Sequence, residues 1–243
     1  MATTKIVPEK QLRTRTAATS HIPTACADDC RFFRDESSDS SGMKAAGPLV
    51  KVSRGATIYA HEQPAHFCYK VIEGAVRLSR VLPDGRRQIL EICLPQETFG
   101  LETSECYSAT AEAIGEVVLL RCPRACIAEL QDERPETRQA MLSMLSRGLC
   151  AAQDHVTMLG HQRAKERLAC YLLRLAVGCE DQHPYTIRLP MGRQDMADYL
   201  GLTIETTCRS ISDLKASRII STPDRHRVVV HNMAALEAVA DGA

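Results

Sequence analysis

Glu205, Cys208, Arg209 and Ser212 are separated by three, one and three residues, so at 100° per residue they share one side of a helix. Such a face has the chemistry for reading base pairs. An arginine donates two hydrogen bonds to guanine O6 and N7 in the major groove, and a carboxylate accepts one from cytosine N4. Glu205 and Arg209, four residues apart, can therefore address one G·C pair or its neighbours. In isolation this spacing usually means a solvated surface helix with an (i, i+4) ion pair, so the surrounding elements decide between the two readings.

Those elements lie between Leu189 and Ser217, where LPMGRQDMADYLGLTIETTCRSISDLKAS reads as two short helices joined by a glycine turn. The first runs from about Arg193 to Leu200, with Met196, Ala197 and Leu200 facing inward and small Ala197 allowing close approach of the second. Gly201 makes the turn. Thr203 caps a second helix that continues to about Lys215, with Thr207, Ile211 and Leu214 on its inner side. The residue types at these turn-determining positions favour a helix-turn-helix over a lone surface helix. Thr203 and Arg193 join Glu205, Cys208, Arg209 and Ser212 as expected DNA contacts, and Arg193 and Arg227 would touch phosphate.

At these residues the sequence resembles the CRP/FNR family of transcription regulators, and within it the FixK/FNR branch, whose recognition helix carries E-x-x-S-R. Here the stretch is Glu205-Thr206-Thr207-Cys208-Arg209. Cys208 stands for the usual Ser, and Thr207 for the usual Val or Ile on the buried side. The resemblance extends from about residue 48 to the C-terminus. It implies a homodimer binding a TTGAT-N4-ATCAA-type palindrome, Glu205 and Arg209 on bases, activation through contact with RNA polymerase, and a role in oxygen- or redox-linked gene control.

The 243 residues, 44% of them hydrophobic, suffice for two modest cores. With no run of about 18 apolar residues and no charged-then-apolar leader, the expectation is a cytoplasmic protein without membrane contact. Net charge is zero, which argues against unspecific coating of nucleic acid and requires a local patch for any DNA contact. Residues 160–232 hold eleven Lys/Arg against eight Asp/Glu, a modest excess compatible with specific binding. The eleven cysteines, odd in number and in reducing surroundings, argue against a disulfide framework. Cys93, Cys170 and Cys179 read as small core hydrophobes.

The fold expected is α+β in four parts. Residues 1–47, rich in Thr, Ala, Ser and charge, form a mobile arm carrying Cys26 and Cys30. Residues 48–134 form an antiparallel β-roll effector domain of the jelly-roll, cyclic-nucleotide-binding-like kind, with strands at Val50–Val52, Thr57–Tyr59, Cys68–Ile72, Ala75–Leu82, Gln88–Cys93 and Glu116–Leu120. Pro83-Asp84-Gly85 is a hairpin turn, and Pro123–Glu133 a short helical link. Residues 135–160 form one long helix whose Leu142, Leu145, Leu149, Ala152, Val156 and Leu159 keep the 3,4 spacing of a dimerising seam; packing on its own roll is the alternative. Residues 161–243 form the winged helix-turn-helix, opening with a helix at Ala164–Val177. Thr186–Leu189, Ile219-Ile220 and Val228–Val230 are its strands, and Pro223–Arg227 is the wing tip, either on phosphate or merely solvated.

Cyclic-nucleotide binding in this fold resembles a carboxylate for the ribose and an Arg for the phosphate at the end of the roll. The corresponding stretch, Phe99–Ala111, has Glu102 but no Arg, and a buried phosphate without a cation is uncompensated. No cyclic nucleotide is therefore expected. A cupin-type metal enzyme lacks an H-x-H pair, His61 and His66 being five apart, so no enzyme is expected either. An iron–sulfur cluster of the FNR type needs four thiolates. Cys26, Cys30 and Cys122 are candidates, but the spacing is not the usual one and a third N-terminal Cys is missing. Recruiting Cys68, Cys93 or Cys106 could complete a site; a thiol switch, or no sensing at all, are the alternatives. The runner-up function is a β-roll metal or thiol sensor whose C-terminal domain is only an interaction module.

Overall fold

A computed structural model of the chain describes residues 48–125, 135–161, 163–176 and 184–242. The expected mobile arm with Cys26 and Cys30, the link beyond Ala125, and Cys179 lie outside the described residues.

Two four-stranded antiparallel sheets form the N-terminal roll. One has the order β1–β8–β3–β6, from Leu49–Val52, Val117–Pro123, Phe67–Glu73 and Thr98–Phe99. The other has β2–β7–β4–β5, from Thr57–Tyr59, Thr110–Ala113, Val76–Val81 and Arg87–Cys93. Strands alternate inward and outward residues because successive side chains leave a pleated strand on opposite faces. The inward set of Tyr59, Tyr69, Phe99 and Tyr107, with Val71, Val76, Ala111, Ala113 and Leu119, fills the roll. The Pro83-Asp84-Gly85 turn joins β4 to β5 as expected, with Gly85 at φ 82° and its N–H on the Leu82 carbonyl at 2.9 Å. Two strands, β6 and β7, go beyond the sequence expectation, and β8 continues through Pro123 into the stretch read as helical.

Helix α1 (Pro135–His161) carries the Leu/Ala/Val seam. Leu142, Leu145, Leu149 and Val156 are 57%, 48%, 61% and 70% exposed, and Ala152 is exposed beside them. Leu159, the last seam residue, is half-buried against the C-terminal core. Met141 packs on a small cluster of Cys68, Leu120 and Cys122.

The C-terminal domain comprises α2 (Ala164–Ala176), β9 (Tyr185–Arg188), α3 (Arg193–Leu200), α4 (Ile204–Ala216), β10 (Ile220–Asp224), β11 (Arg227–Val230) and α5 (Met233–Ala240). Its three strands pair β10–β11–β9 as the wing. Leu168, Leu172, Ile187, Met196, Leu200, Leu214, Val228 and Leu236 form its core, and Ile89 and Ile92 of β5 belong to the same apolar cluster. The two domains thus share buried surface.

At that junction His155 of α1 stacks on the Tyr199 ring, with centroids 4.2 Å apart. Its Nε2 lies 2.9 Å from the Tyr199 carbonyl and its Nδ1 3.2 Å from the Leu90 carbonyl. Burial holds the His155 pKa below its ordinary 6.5, with the Arg174 charge adding to the lowering and the two carbonyls opposing it. The folded junction therefore favours a neutral ring. As pH falls through 6.5 the unfolded chain takes up a proton that the folded one resists, so this contribution to stability is intact above 6.5 and lost progressively below it until the folded pKa is reached. His155→Phe keeps the stack and removes the titration; its melting temperature is expected to fall less steeply than the parent's below the ordinary histidine pKa of about 6.5. Parallel profiles would assign the acid sensitivity to other groups.

Candidate DNA-binding interface

The two helices of the motif are held at a fixed angle by the turn between them. Gly201 adopts φ 62°, ψ 38° and returns its N–H to the Ala197 carbonyl, a left-handed conformation that costs other residues about 1–2 kcal/mol. A Cβ there would stand 3.1 Å from Leu159 Cδ2 and 3.4 Å from Arg167 Nη1, so a side chain would also require Leu159 to shift slightly. Arg167 is itself fixed beside the turn: Nη1 donates to the Leu200 carbonyl at 2.9 Å and Nη2 to the Leu159 carbonyl at 2.8 Å. One side chain of α2 thereby caps the end of α3 and ties it to α1.

Helix α4 starts at the Thr203 cap, whose Oγ1 accepts from the Thr206 N–H at 3.2 Å. Thr207, Ser210, Ile211 and Leu214 are buried, whereas Glu205, Cys208, Arg209 and Ser212 are exposed together. The departure at Thr207 is accommodated because a threonine has the shape of valine and its hydroxyl donates to the Thr203 carbonyl at 3.0 Å. Ser210 does the same toward the Thr206 carbonyl at 3.0 Å, which allows a polar side chain on the buried face that the helical spacing had not singled out. Ser212 directs its hydroxyl to the Cys208 carbonyl at 3.0 Å. At the exposed N-terminus of α4 the Glu205 pKa is lowered, first by its own backbone N–H and then by the Thr203 hydroxyl. Its carboxylate is thus maintained as an acceptor.

The two arginines expected on phosphate differ in their surroundings. Arg193 is half-buried with Nη1 4.0 Å from Met196 Sδ, and burial lowers its pKa. Arg227 pairs with Asp224 at 2.6 Å across the wing turn, leaving Arg225 and His226 at the exposed tip. Asp224 is held below the usual carboxylate range, chiefly by the His226 N–H.

In the roll, Glu102 Oε1 accepts from the Ser108 N–H at 3.0 Å and its hydroxyl at 2.7 Å. Although the Phe99–Ala111 stretch has no arginine, two reach it from other parts of the roll. Arg124 Nη1 donates to the Ala65 and Ser104 carbonyls at 2.8 and 2.9 Å and Nη2 to that of Glu102; Arg80 donates to the Ser108 carbonyl. Spacing within the segment could not reveal either one. The Tyr59 and Tyr107 rings stack at 3.6 Å beside it, and the Tyr107 hydroxyl donates to the Phe67 carbonyl at 2.6 Å.

Among the cysteines, Cys122 is buried and stands opposite Cys68 in the β3–β8 register. Cys93 is buried in the roll, Cys106 and Cys170 are half-buried, and Cys150 and Cys208 are exposed. Among the described residues no group of three or more His, Cys, Asp or Glu could hold a metal, and no helix is long and apolar enough to cross a membrane.

Comparison with known proteins agrees with this arrangement. Residues 166–239 match the Crp-like helix-turn-helix domain and residues 49–134 the cyclic nucleotide-binding domain. The nitrogen fixation regulation protein FixK of Azorhizobium caulinodans is 38% identical over 206 residues, covering 83% of each chain. That of Rhizobium meliloti is 40% identical over 186 residues, 76% of this chain and 83% of its own. The structure of FixK2 from Bradyrhizobium japonicum superimposes with a TM-score of 0.74 at 32% identity, over 79% of this chain and 96% of that one. With a β-roll, a long helix and a winged helix-turn-helix in the same order, the chain belongs to the CRP/FNR family, in its FixK/FNR branch, and is a DNA-binding transcription regulator.

Proposed function

We propose that the protein is a homodimeric activator in oxygen- or redox-linked gene control that reads a TTGAT-N4-ATCAA-type palindrome, with Glu205 and Arg209 on base edges. The observation that carries this reading is the exposed Glu205, Cys208, Arg209 and Ser212 face over a fully buried opposite face. Arg209 donates to guanine and Glu205 accepts from cytosine, while Thr203 and Arg193 lie at the starts of the two helices. A palindrome requires a two-fold reader. The exposed Leu142, Leu145, Leu149, Ala152 and Val156 supply an apolar stripe for the second copy, and Leu159 continues it toward the head.

The four-part division at residues 47/48, 134/135 and 160/161 belongs to the same reading, as does a cytoplasmic location. RNA polymerase is the further partner, met through the Pro83–Arg87 loop of the β4–β5 hairpin, of which residues 83–86 are exposed while Arg87 turns to Asp195 and Asp198. The roll functions without a cyclic nucleotide. Support comes from the tyrosine-filled interior and from Arg80 and Arg124 being engaged with carbonyls.

Gel-shift titration tests the assignment. Arg209→Ala is expected to weaken each half-site by about 1–3 kcal/mol and to blur preference for the G·C pair. Unchanged discrimination between TTGAT and a site altered at its guanine would remove Arg209 from base readout. Leu149→Glu places like charges across the two-fold axis, so sedimentation should show monomers and palindrome binding should vanish. A parent protein that binds the palindrome as a monomer would contradict the seam. Cys208, exposed beside Arg209, either merely replaces a serine as a small side chain or makes binding sensitive to peroxide, since a sulfinate adds bulk and negative charge next to the DNA backbone. Cys208→Ser should bind and resist; equal loss in both proteins would move the sensitive thiol elsewhere.

A further inference from the structure

Asp195 and Asp198 lie one turn apart on α3 and meet guanidinium groups from the roll. Asp195 Oδ1 accepts from Arg77 Nη1 at 2.9 Å and from Arg87 Nη2 at 2.7 Å. Asp198 Oδ2 accepts from Arg87 Nε at 2.8 Å and lies 2.6 Å from its Nη2. Arg77 Nε is held in turn by Glu112 Oε2 at 3.1 Å. Arg87, Arg77 and Glu112 come from β5, β4 and β7, adjacent strands of one sheet. No side chain in this network is more than 28% exposed. Ile89 and Ile92 lie in the apolar contact beneath it, and Gln88 Nε2 reaches the Tyr199 carbonyl at 3.5 Å.

We propose that this ionic cluster is the latch that orients the helix-turn-helix on the β-roll, with Arg87 the central positioning residue for DNA binding. In helix-turn-helix docking the first helix crosses the backbone and the second enters the groove, so whatever fixes α3 fixes where α4 points. The apolar contact of Ile89 and Ile92 is non-directional and permits sliding. Arginine–carboxylate pairs are directional, because the planar guanidinium fork matches carboxylate geometry. By engaging Asp195 and Asp198 together, Arg87 fixes both the position of α3 along the sheet and its rotation about its own axis.

Loss of Arg87 leaves two half-buried carboxylates under-compensated and a head that must be ordered anew on DNA, which weakens binding. The latch goes beyond the proposed palindrome and dimer. It rests on the helix-turn-helix being the DNA reader and requires no particular target sequence.

The test uses the full chain and three variants: Arg87→Glu, Asp198→Arg and the two combined. Amide hydrogen exchange follows α3 and β5, and fluorescence anisotropy follows binding to the TTGAT palindrome. Arg87→Glu is expected to speed exchange in α3 and weaken palindrome binding about tenfold or more, with the parent's circular dichroism. The double variant restores part of both, since the introduced carboxylate on β5 and the introduced guanidinium on α3 re-form one of the two pairs with reversed charges while Asp195 keeps Arg77; a merely structural loss would not be repaired by a second charge reversal. Parent-like exchange and affinity in Arg87→Glu, or a double variant no better than the single, would overturn the latch. Tighter DNA binding by Arg87→Glu would also overturn it, because the contact would then hold the head away from DNA. A parent that ignores the palindrome refutes the proposed target, while rescue of hydrogen exchange still decides the latch.

Discussion

Strand β5 is buried from two directions, and the rest of the molecule is arranged around that. Cys93 points into the tyrosine-rich interior of the roll, while Ile89 and Ile92 enter the core of the C-terminal domain. Residues buried in a shared core cannot be exposed cheaply: at about 25 cal/mol per Å² of apolar surface, separating the domains would forfeit the burial of two isoleucines. The head is therefore seated on the roll by the same interaction that folds each domain. Polar contacts at the rim, from Arg77, Arg87, Gln88 and His155, give this non-directional seat an orientation.

Within the head, helix α4 divides into a buried and an exposed face. The inner face of α4 is fixed by burial and by hydroxyls satisfied within the helix, as at Thr207 and Ser210. Its outer face is free of packing constraints, so Glu205, Cys208, Arg209 and Ser212 contribute little to folding. Substitutions there leave the scaffold intact. The turn is the constrained point, where Gly201 is left-handed and a side chain would press on Leu159 and Arg167.

The elements that were legible in the sequence are those whose stability is local. The Thr203 cap, the Gly201 turn, the α3 and α4 faces and the Pro83-Asp84-Gly85 hairpin each follow from a few adjacent residues. Strand β7 is not legible because Thr110-Ala111-Glu112-Ala113 has little intrinsic strand preference; close packing requires its alanines to be small, since both are fully buried. Strand β6 has only two residues and is held by β3. The arginines at the Glu102 segment come from Arg80 and Arg124, and the Asp195 network spans more than a hundred residues of sequence. Spacing carries no information about partners that only the tertiary fold brings together.

That last point also changes the meaning of the charge balance. Residues 160–232 hold eleven basic and eight acidic side chains, a small excess for a domain that approaches a polyanion. Two of the eight, Asp195 and Asp198, are paired with arginines of the roll. Counting those two as neutralised raises the head's effective excess from three to five. Arg209, Lys215, Arg218 and Arg225 meanwhile remain exposed. Opposite charges in direct contact largely cancel beyond a Debye length of about 8–10 Å, so the field that reaches DNA is set by the charges left exposed, Glu205 and Asp213 among them, rather than by composition. A chain of zero net charge can thus carry a head of positive effective charge, because roll arginines neutralise carboxylates of the head at the interface between the two domains.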